Sequence, residues 1–170
     1  EAFDKKLAEE NVASGILHTS HAFHSDMMEP IVAPFSEIVS STKASSPSIP
    51  IMSTRTADWL KPEEATSPTY WAEQLRYSVR FSAAMTSLCN DNRRIFVEVG
   101  SSTTLTSATR YHLPKTDHHK IVNTLPHAND ELSAEISFAN ALARIWVEGV
   151  PINWMRWHEN SNPKRIGLPT

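Results

Sequence analysis

Residues 18–30 read HTSHAFHSDMMEP and place histidines at positions 18, 21 and 24. Histidine is the side chain whose ordinary pKa lies nearest physiological pH, so this run is the first candidate for acid–base chemistry. Three histidines could also ligate zinc, but on an extended strand His21 would face away from His18 and His24. A general base, which needs a fixed tautomer and a nearby nucleophile, fits better than a metal site. Ordinary core or surface histidines are the commoner explanation when such a run is taken alone.

The composition limits the classes of function. The chain has 170 residues, of which 40% are hydrophobic, enough for a domain with a real core. A net charge of −3 and a pI of about 6.2 argue against nucleic acid and a membrane surface as partners. The one cysteine, Cys89, excludes an internal disulfide and suits a cytoplasmic location. Its place after an apolar helical stripe predicts a packed structural thiol.

Apolar spacing outward from residues 18–30 predicts the elements of the first half. A short amphipathic helix over residues 3–13 should end at Gly15, and residues 16–17 should be extended. A second helix should start near Pro30 and bury Ile31, Phe35, Ile38 and Val39. A buried strand is expected at residues 49–54, followed by a polar surface excursion over 55–68. Residues 69–92 should form two helices that meet near residues 76–78, because the apolar spacing breaks there.

The second half alternates strands and helices. Residues 95–100 and 121–125 are rich in β-formers and predict two strands. A helix that buries Leu105, Ala108 and Tyr111 should lie between them, and a long helix over residues 131–149 should end at Gly149. The remaining residues, 150–170, should be an ordered linker packed by Trp154 and Trp157, with Trp146 beside them.

Four later stretches follow the histidine run in a fixed order: YWAEQLRYSVRF at 70–81, FVEVG at 96–100, ALARIWVEGV at 141–150 and LPT at 168–170. Together with residues 19–30 they resemble the C-terminal part of the acyltransferase domain of modular and iterative type I polyketide synthases. Residues 19–30 match the second active-site motif of that family, and the last two stretches match its post-acyltransferase linker. The resemblance covers nearly the entire chain.

The resemblance implies roles for particular residues. His24 matches the catalytic general base, which takes the proton of a serine attacking an acyl-CoA thioester. It then activates the phosphopantetheine thiol of an acyl carrier protein. Gln74 matches a residue that orients this ring through a carbonyl, with a helix-surface glutamine as the alternative. His21, Ala22 and Phe23 match the substrate-binding residues of malonyl-specific domains, in which Phe23 would fill the volume of an α-methyl group.

The family nucleophile is absent from the chain. The four glycines, at positions 15, 100, 149 and 167, form no Gly-x-Ser-x-Gly elbow. The resemblance places that serine upstream of residue 1, together with the arginine that pairs with the extender carboxylate and the glutamine of the oxyanion hole. We therefore expect the isolated chain to be inactive. The alternative is an inactive acyltransferase remnant that serves as a scaffold or docking surface in a multidomain synthase.

The fold implied by the resemblance is α/β. Residues 1–17 would be the last helix and strand of a ferredoxin-like small lobe, 18–127 the C-terminal part of a hydrolase-like core, and 128–170 a partly irregular linker. No cofactor or metal is expected on this segment, only an acyl-CoA substrate and the phosphopantetheine arm. The expected partners are the nucleophile-bearing remainder of the domain, a ketosynthase domain and an acyl carrier protein.

Overall fold

The computed structural model describes residues 2–15, 19–90, 93–113, 119–127, 130–161, 164 and 167. The chain divides into two compact units, Glu1–Ala84 and Met85–Thr170. The division falls within helix α5 (Phe81–Cys89). Among the described residues, no helix combines the length and the apolar character needed to cross a bilayer.

The first unit begins with helix α1 (Ala2–Glu9), which ends before the predicted glycine. Asn11 adopts a left-handed backbone with φ of 57°. The N–H of Asn11 donates to the carbonyl of Ala8 at 3.1 Å, and that of Val12 donates to Leu7 at 2.8 Å. This is the Schellman pattern of helix ends, in which asparagine can replace glycine. The prediction of Gly15 as terminator was wrong, and residues 16–18 lie outside the described part.

Helix α2 (Glu29–Ser40) carries Pro30 in its first turn, as predicted. Its inward face is rotated from the predicted one, because Val32, Phe35 and Val39 are half-buried while Ile31 and Ile38 are exposed. Helix α2 packs on a later helix, α4 (Pro68–Glu73). In the folded unit Val32 is therefore shielded while Ile31 and Ile38 are not, and the apolar spacing of the sequence alone does not predict this difference.

An antiparallel hairpin joins β1 (Met52–Ser53) to β2 (Asp58–Trp59). The hydroxyl of Ser53 accepts the N–H groups of Arg55 and Thr56 at 3.1 and 3.2 Å, which closes the turn. The predicted strand at 49–54 was too long, since Ile49 and Ile51 are exposed. The predicted surface excursion at 55–68 was wrong in part, because it contains β2 and helix α3 (Pro62–Ala65).

The predicted break within residues 69–92 is confirmed. Helix α4 is capped by the Ser67 hydroxyl, which accepts the Tyr70 N–H at 3.3 Å. Helix α5 starts only at Phe81, so residues 74–80 form an irregular connection. Tyr70 and Ala72 on α4 are buried and belong to the core of the first unit.

The second unit is built on two parallel strands, β3 (Ile95–Glu98) and β4 (Lys120–Asn123). Helix α6 (Thr104–His112) lies between them in sequence, since parallel neighbours need a crossover connection. The α/β class and both strands are thus confirmed. The face of α6 was predicted wrongly, because Thr106 and Thr109 are buried while Leu105 and Tyr111 are exposed.

Helix α7 (Ala134–Val147) packs on β4 and confirms the predicted long helix. Arg144 donates to the Ile121 carbonyl at 3.0 Å, and Gly149 follows the helix with φ of 92°. Helix α8 (Trp154–Trp157) supports the predicted packing by aromatics. The Trp146 and Trp154 rings lie 6.1 Å apart, and the Phe138 and Trp157 rings 5.5 Å apart.

Glu98 joins the end of β3 to the start of α6. Its carboxylate oxygens accept the N–H groups of Leu105 and Thr106 at 3.0 and 2.8 Å, although the residue is only 9% exposed. Burial alone raises the pKa of the Glu98 carboxyl, but the hydrogen bonds from Thr106 and Leu105 outweigh it and leave the pKa below its ordinary value. Folding therefore favours the ionised carboxylate of Glu98 over the protonated carboxyl.

We expect Glu98→Gln to lower the free energy of unfolding by about 1–3 kcal/mol at neutral pH, because an amide cannot accept both bonds. Since the pKa of Glu98 is lower in the folded state, its contribution is present above the unfolded pKa and is lost as pH falls through the folded one. Urea unfolding of both proteins should therefore converge at acid pH. Glu135→Gln, an exposed change in the first turn of α7, is the control and should change stability much less. An equal loss in both variants would contradict this assignment.

Candidate active site

Residues 19–25 form a tight loop closed by its own polar groups. The Phe23 N–H donates to the His21 carbonyl at 3.0 Å, and the Thr19 hydroxyl donates to the same oxygen at 3.1 Å. The Ser25 hydroxyl donates to the Ala22 carbonyl at 2.5 Å. Ser25 also caps the short 3-10 helix Asp26–Met28, whose Met28 is buried. The loop is therefore anchored at one end to the core.

His24 occupies an unusual backbone conformation in this loop. Its φ is 62°, in the left-handed region that few residues other than glycine adopt. Its N–H donates to the Leu75 carbonyl at 2.8 Å. Backbone strain of this kind persists only where neighbouring contacts fix it, and it is concentrated at functional sites.

The imidazole ring of His24 is held by a second main-chain group. Nδ1 lies 3.0 Å from the Tyr77 carbonyl oxygen. A carbonyl can only accept, so Nδ1 must carry the hydrogen and Nε2 of the neutral ring keeps a free lone pair. Because His24 is exposed, this lone pair can be reached by another group. The arrangement suits a ring that receives a proton at Nε2.

Two carbonyl groups that follow α4 thus accept hydrogen bonds from His24, one from its backbone N–H and one from its ring. Leu75 and Tyr77 follow the helix, where carbonyl groups lack partners within the helix. The backbone N–H and the ring Nδ1 of His24 are therefore both held by main-chain oxygens of this connection.

Gln74, the residue expected to orient the His24 ring through a carbonyl, caps the C-terminal end of α4 and is half-buried. The oxygen bonded to Nδ1 belongs to the main chain three residues further on, at Tyr77. The acceptor is thus a carbonyl of the expected segment. Gln74 as a site residue stays a prediction.

Arg76 joins the segment that carries the acceptor to the segment that follows His24. Its guanidinium pairs with Asp26 and, through Nε at 2.6 Å, with Glu29. The hydrogen bond with Glu29 raises the pKa of Arg76 above its ordinary value, and the charge of Asp26 adds to the effect. This residue therefore stays charged and connects the two halves of the site.

Arginine and tyrosine side chains alternate beside the acceptor. The Arg55 guanidinium lies 5.4 Å from the Tyr70 ring centroid and 5.1 Å from that of Tyr77. Arg76 lies 5.3 Å from the Tyr77 ring. These are cation–π distances. Arg55 also forms an ion pair with Glu73 on α4. We call these four residues, Tyr70, Arg55, Tyr77 and Arg76, the arginine–tyrosine stack.

A cavity of about 460 Å³ opens next to the stack. It is lined by Arg55, Thr56, Tyr77, Ser78 and Arg80. Arg80 donates from its N–H to the Thr54 carbonyl at 2.6 Å and from its guanidinium to that of Thr56 at 2.9 Å. The second cavity of interest, about 400 Å³, belongs to the other unit and includes Asn123, Asn140 and Arg144. Neither contains the His24 ring among its lining residues.

The residues expected to bind substrate share the loop of His24. The His21 Nδ1 and Ser20 hydroxyl lie 2.9 Å apart, and the His21 and Phe23 rings are 6.1 Å apart. Phe23 is 45% exposed, so its ring has room to meet a further group. Ala22 contributes its carbonyl to the loop through Ser25.

Other candidate groups have ordinary surroundings. Among the described residues, no three histidine, cysteine or acidic side chains are grouped to hold a metal. His18, one member of the sequence triplet, lies outside that part of the chain. Cys89 is half-buried, and burial raises the pKa of its thiol against the opposing charge of Arg94. A raised pKa disfavours the reactive thiolate.

Sequence reasoning missed Tyr77 and Arg55. The Tyr77 contact uses a peptide oxygen, which every residue type carries, so no side-chain pattern marks it. Arg55 lay in the stretch predicted to be a surface excursion. The sequence signal near Tyr77 is the three aromatic residues of YWAEQLRY, residues 70–77, and no such signal marks Arg55.

Comparisons with known proteins agree with the geometry. A family model described as "Acyl transferase domain" matches residues 1–151. One component of the phenolphthiocerol/phthiocerol polyketide synthase of Mycobacterium tuberculosis is 26% identical over 99% of the chain. The PKS-NRPS hybrid synthetase acdB of Aspergillus candidus is 30% identical over 92%. The chain spans 11% and 6% of those two relatives.

A solved structure, the acyl transferase domain of ZmaA, has a TM-score of 0.81 and 28% identity over 99% of the chain, which covers 38% of that structure. The malonyl CoA-acyl carrier protein transacylase of Clostridium perfringens has a TM-score of 0.62 at 16% identity. The match covers 85% of this chain and 43% of that structure, and at this identity it supports the fold alone. The fold and the family match agree. The chain belongs to the acyl transferase domain family and corresponds to part of such a domain.

Proposed function

We propose that this chain supplies the general base of an acyltransferase domain in a type I polyketide synthase, and that His24 is that base. The hydrogen bond between Nδ1 and the Tyr77 carbonyl carries this proposal, because it leaves Nε2 of an exposed ring free to accept a proton. The left-handed backbone of His24 supports it, since such strain is concentrated at functional sites.

The reaction needs a hydroxyl that this chain does not contribute. A serine on another segment of the domain would lose its proton to Nε2 as its oxygen attacks the thioester carbon of an acyl-CoA. The imidazolium would return the proton to the departing CoA sulfur, which leaves an acyl-serine ester. In the second half-reaction Nε2 would take the proton of a phosphopantetheine thiol, whose sulfur attacks the ester carbon. The bond from that carbon to the serine oxygen would break, and the imidazolium would return the proton to this oxygen. Gln74 is kept as a site residue in this scheme.

The proposed acyl group is malonyl. His21, Ala22 and Phe23 would line the acyl pocket, with the Phe23 ring in the volume that an α-methyl branch requires. One methyl group in an apolar pocket changes the relative specificity by about 1–3 kcal/mol, so Phe23 sets a preference and not an absolute barrier.

The proposed surroundings follow from the family and from the length of its relatives. Residues 1–17 would end a ferredoxin-like small lobe, 18–127 would belong to the hydrolase-like core, and 128–170 would be the linker that follows. The partners would be the nucleophile-bearing remainder of the domain, a ketosynthase domain and an acyl carrier protein within one cytoplasmic synthase. The relatives are many times longer than this chain, which supports such a multidomain setting.

The first test removes the proposed base from the complete acyltransferase. We expect His24→Asn to lower the rate of malonyl transfer roughly 10²–10⁴-fold, the contribution of a positioned general base. Transfer from labelled malonyl-CoA to a carrier protein measures it. His158→Asn, which changes a histidine in the other unit, should retain the full rate. A His24→Asn rate within twofold of wild type would remove the basis of the proposal.

The second test concerns the acyl group. We expect Phe23→Ala to raise the ratio of kcat/KM for methylmalonyl-CoA to kcat/KM for malonyl-CoA. The expected increase is roughly 10- to 200-fold, the effect of one methyl group in an apolar pocket. Phe3→Ala, which truncates an exposed phenylalanine on α1, should leave the ratio unchanged. An unchanged ratio in Phe23→Ala would exclude steric selection by this ring.

The third test uses the 170-residue chain alone. We expect no stable label from radioactive malonyl-CoA, because the chain has no Gly-x-Ser-x-Gly nucleophile. Stable self-acylation would contradict this expectation. The scaffold alternative is judged on the gene: a Gly-His-Ser-x-Gly run in the reading frame before Glu1 favours the enzyme, and a parent protein without one favours the scaffold.

A further inference from the structure

We propose that Arg55 is a positioning residue for His24, acting through the arginine–tyrosine stack. The effect of Arg55 on catalysis rests on the proposed function, whereas its effect on the orientation of His24 rests on the contacts alone. Arg55 lies outside the histidine loop and has no hydrogen bond to the His24 ring.

The first step is the location of the acceptor. Tyr77 lies in the irregular connection between α4 and α5, so no continuing helix fixes its carbonyl. Its own N–H donates to the Glu73 carbonyl at 3.0 Å, while its carbonyl faces the His24 ring. The direction of that carbonyl therefore depends on how the Tyr77 side chain is held.

The second step is what holds that side chain. The Tyr77 ring contacts two guanidinium groups, those of Arg55 at 5.1 Å and Arg76 at 5.3 Å from the ring centroid. Tyr77 is 46% exposed, so burial in a hydrocarbon core does not immobilise it. The cation–π contacts with the two arginines constrain the orientation of its ring.

The third step is the anchoring of Arg55 itself. Arg55 forms an ion pair with the side chain of Glu73. The backbone carbonyl of Glu73 also accepts the N–H of Tyr77. Its other neighbour is the buried Tyr70, whose hydroxyl lies 2.5 Å from the Ser53 hydroxyl. Arg55 thus transmits the rigid position of the core to an exposed ring, and through that ring to the carbonyl 3.0 Å from His24 Nδ1.

Arg76 is the second cation that contacts the Tyr77 ring. It pairs with Asp26 and Glu29, which follow the histidine loop, so it fixes the distance between loop and acceptor. Arg55 is the better residue to test, because its partners all lie on the acceptor side. A change at Arg55 leaves the contacts of the histidine loop itself intact.

The test measures which nitrogen of His24 carries the hydrogen. In the 170-residue chain labelled with ¹⁵N-histidine, the Nδ1 and Nε2 chemical shifts are recorded at alkaline pH, where imidazole is neutral. We expect the wild type to hold the hydrogen on Nδ1. Arg55→Met should lower the ratio of Nδ1–H to Nε2–H tautomers roughly five-fold, the effect of weakening one hydrogen bond.

Two further variants separate stacking from charge and from stability. Arg55→Lys keeps the charge facing Glu73 but loses the planar guanidinium, so the ratio should fall in the same direction. This variant also decides the question if Arg55→Met does not fold. Arg93→Lys makes the same chemical change at an arginine that pairs with Glu148, and it should retain the wild-type ratio.

Each outcome of the tautomer measurement decides the question. A wild-type ratio of Nδ1–H to Nε2–H tautomers in both Arg55 variants overturns the proposal. A wild-type ratio in Arg55→Lys alone shows that stacking of the guanidinium on Tyr77 is not what positions His24. In the complete acyltransferase, Arg55→Lys should lower kcat for malonyl transfer while KM for malonyl-CoA stays within twofold. If the wild-type enzyme transfers no acyl group, the proposed function fails, but the tautomer ratio still decides the role of Arg55.

Discussion

The hydrogen bond between His24 and the Tyr77 carbonyl is the constraint on which the candidate site depends. It joins residues 53 positions apart in the sequence and fixes the tautomer of a ring that is otherwise exposed. A free imidazole would exchange between two tautomers and many rotamers. The carbonyl selects one of each, and this selection makes an exposed histidine suitable as a base.

Contacts within the first unit link the segment that carries this carbonyl to the segment that follows His24. Helix α4 packs on α2, and only the 3-10 helix Asp26–Met28 separates α2 from the histidine loop, so the acceptor and the base are carried by neighbouring elements. The ion pairs of Arg76 link the same two elements. Exposed ion pairs contribute little to stability, so their value here lies in orientation rather than in free energy of folding.

The sequence predicted the elements better than their faces. The strands around Phe96 and Ile121 and the long helix before Gly149 were correctly located, because β-formers and apolar spacing act locally. The face of α6 was wrong, since a buried Thr106 and an exposed Tyr111 reflect the neighbours that this helix packs against. Such choices depend on contacts between distant residues, which periodicity does not encode.

The site illustrates the same limit at the level of single atoms. The resemblance to a known family pointed to His24 and to the segment that faces it, and it named Gln74 as the residue whose carbonyl orients the ring. The acceptor belongs to the peptide backbone, so its chemistry is independent of which side chain occurs at position 77. What the sequence must encode is the conformation of that backbone, and in the proposed arrangement the contacts of the Tyr77 ring with two arginines encode it. Residues that orient a catalytic group through a main-chain atom therefore leave no motif of their own, and they become visible only when the contacts are traced outward from the reacting nitrogen.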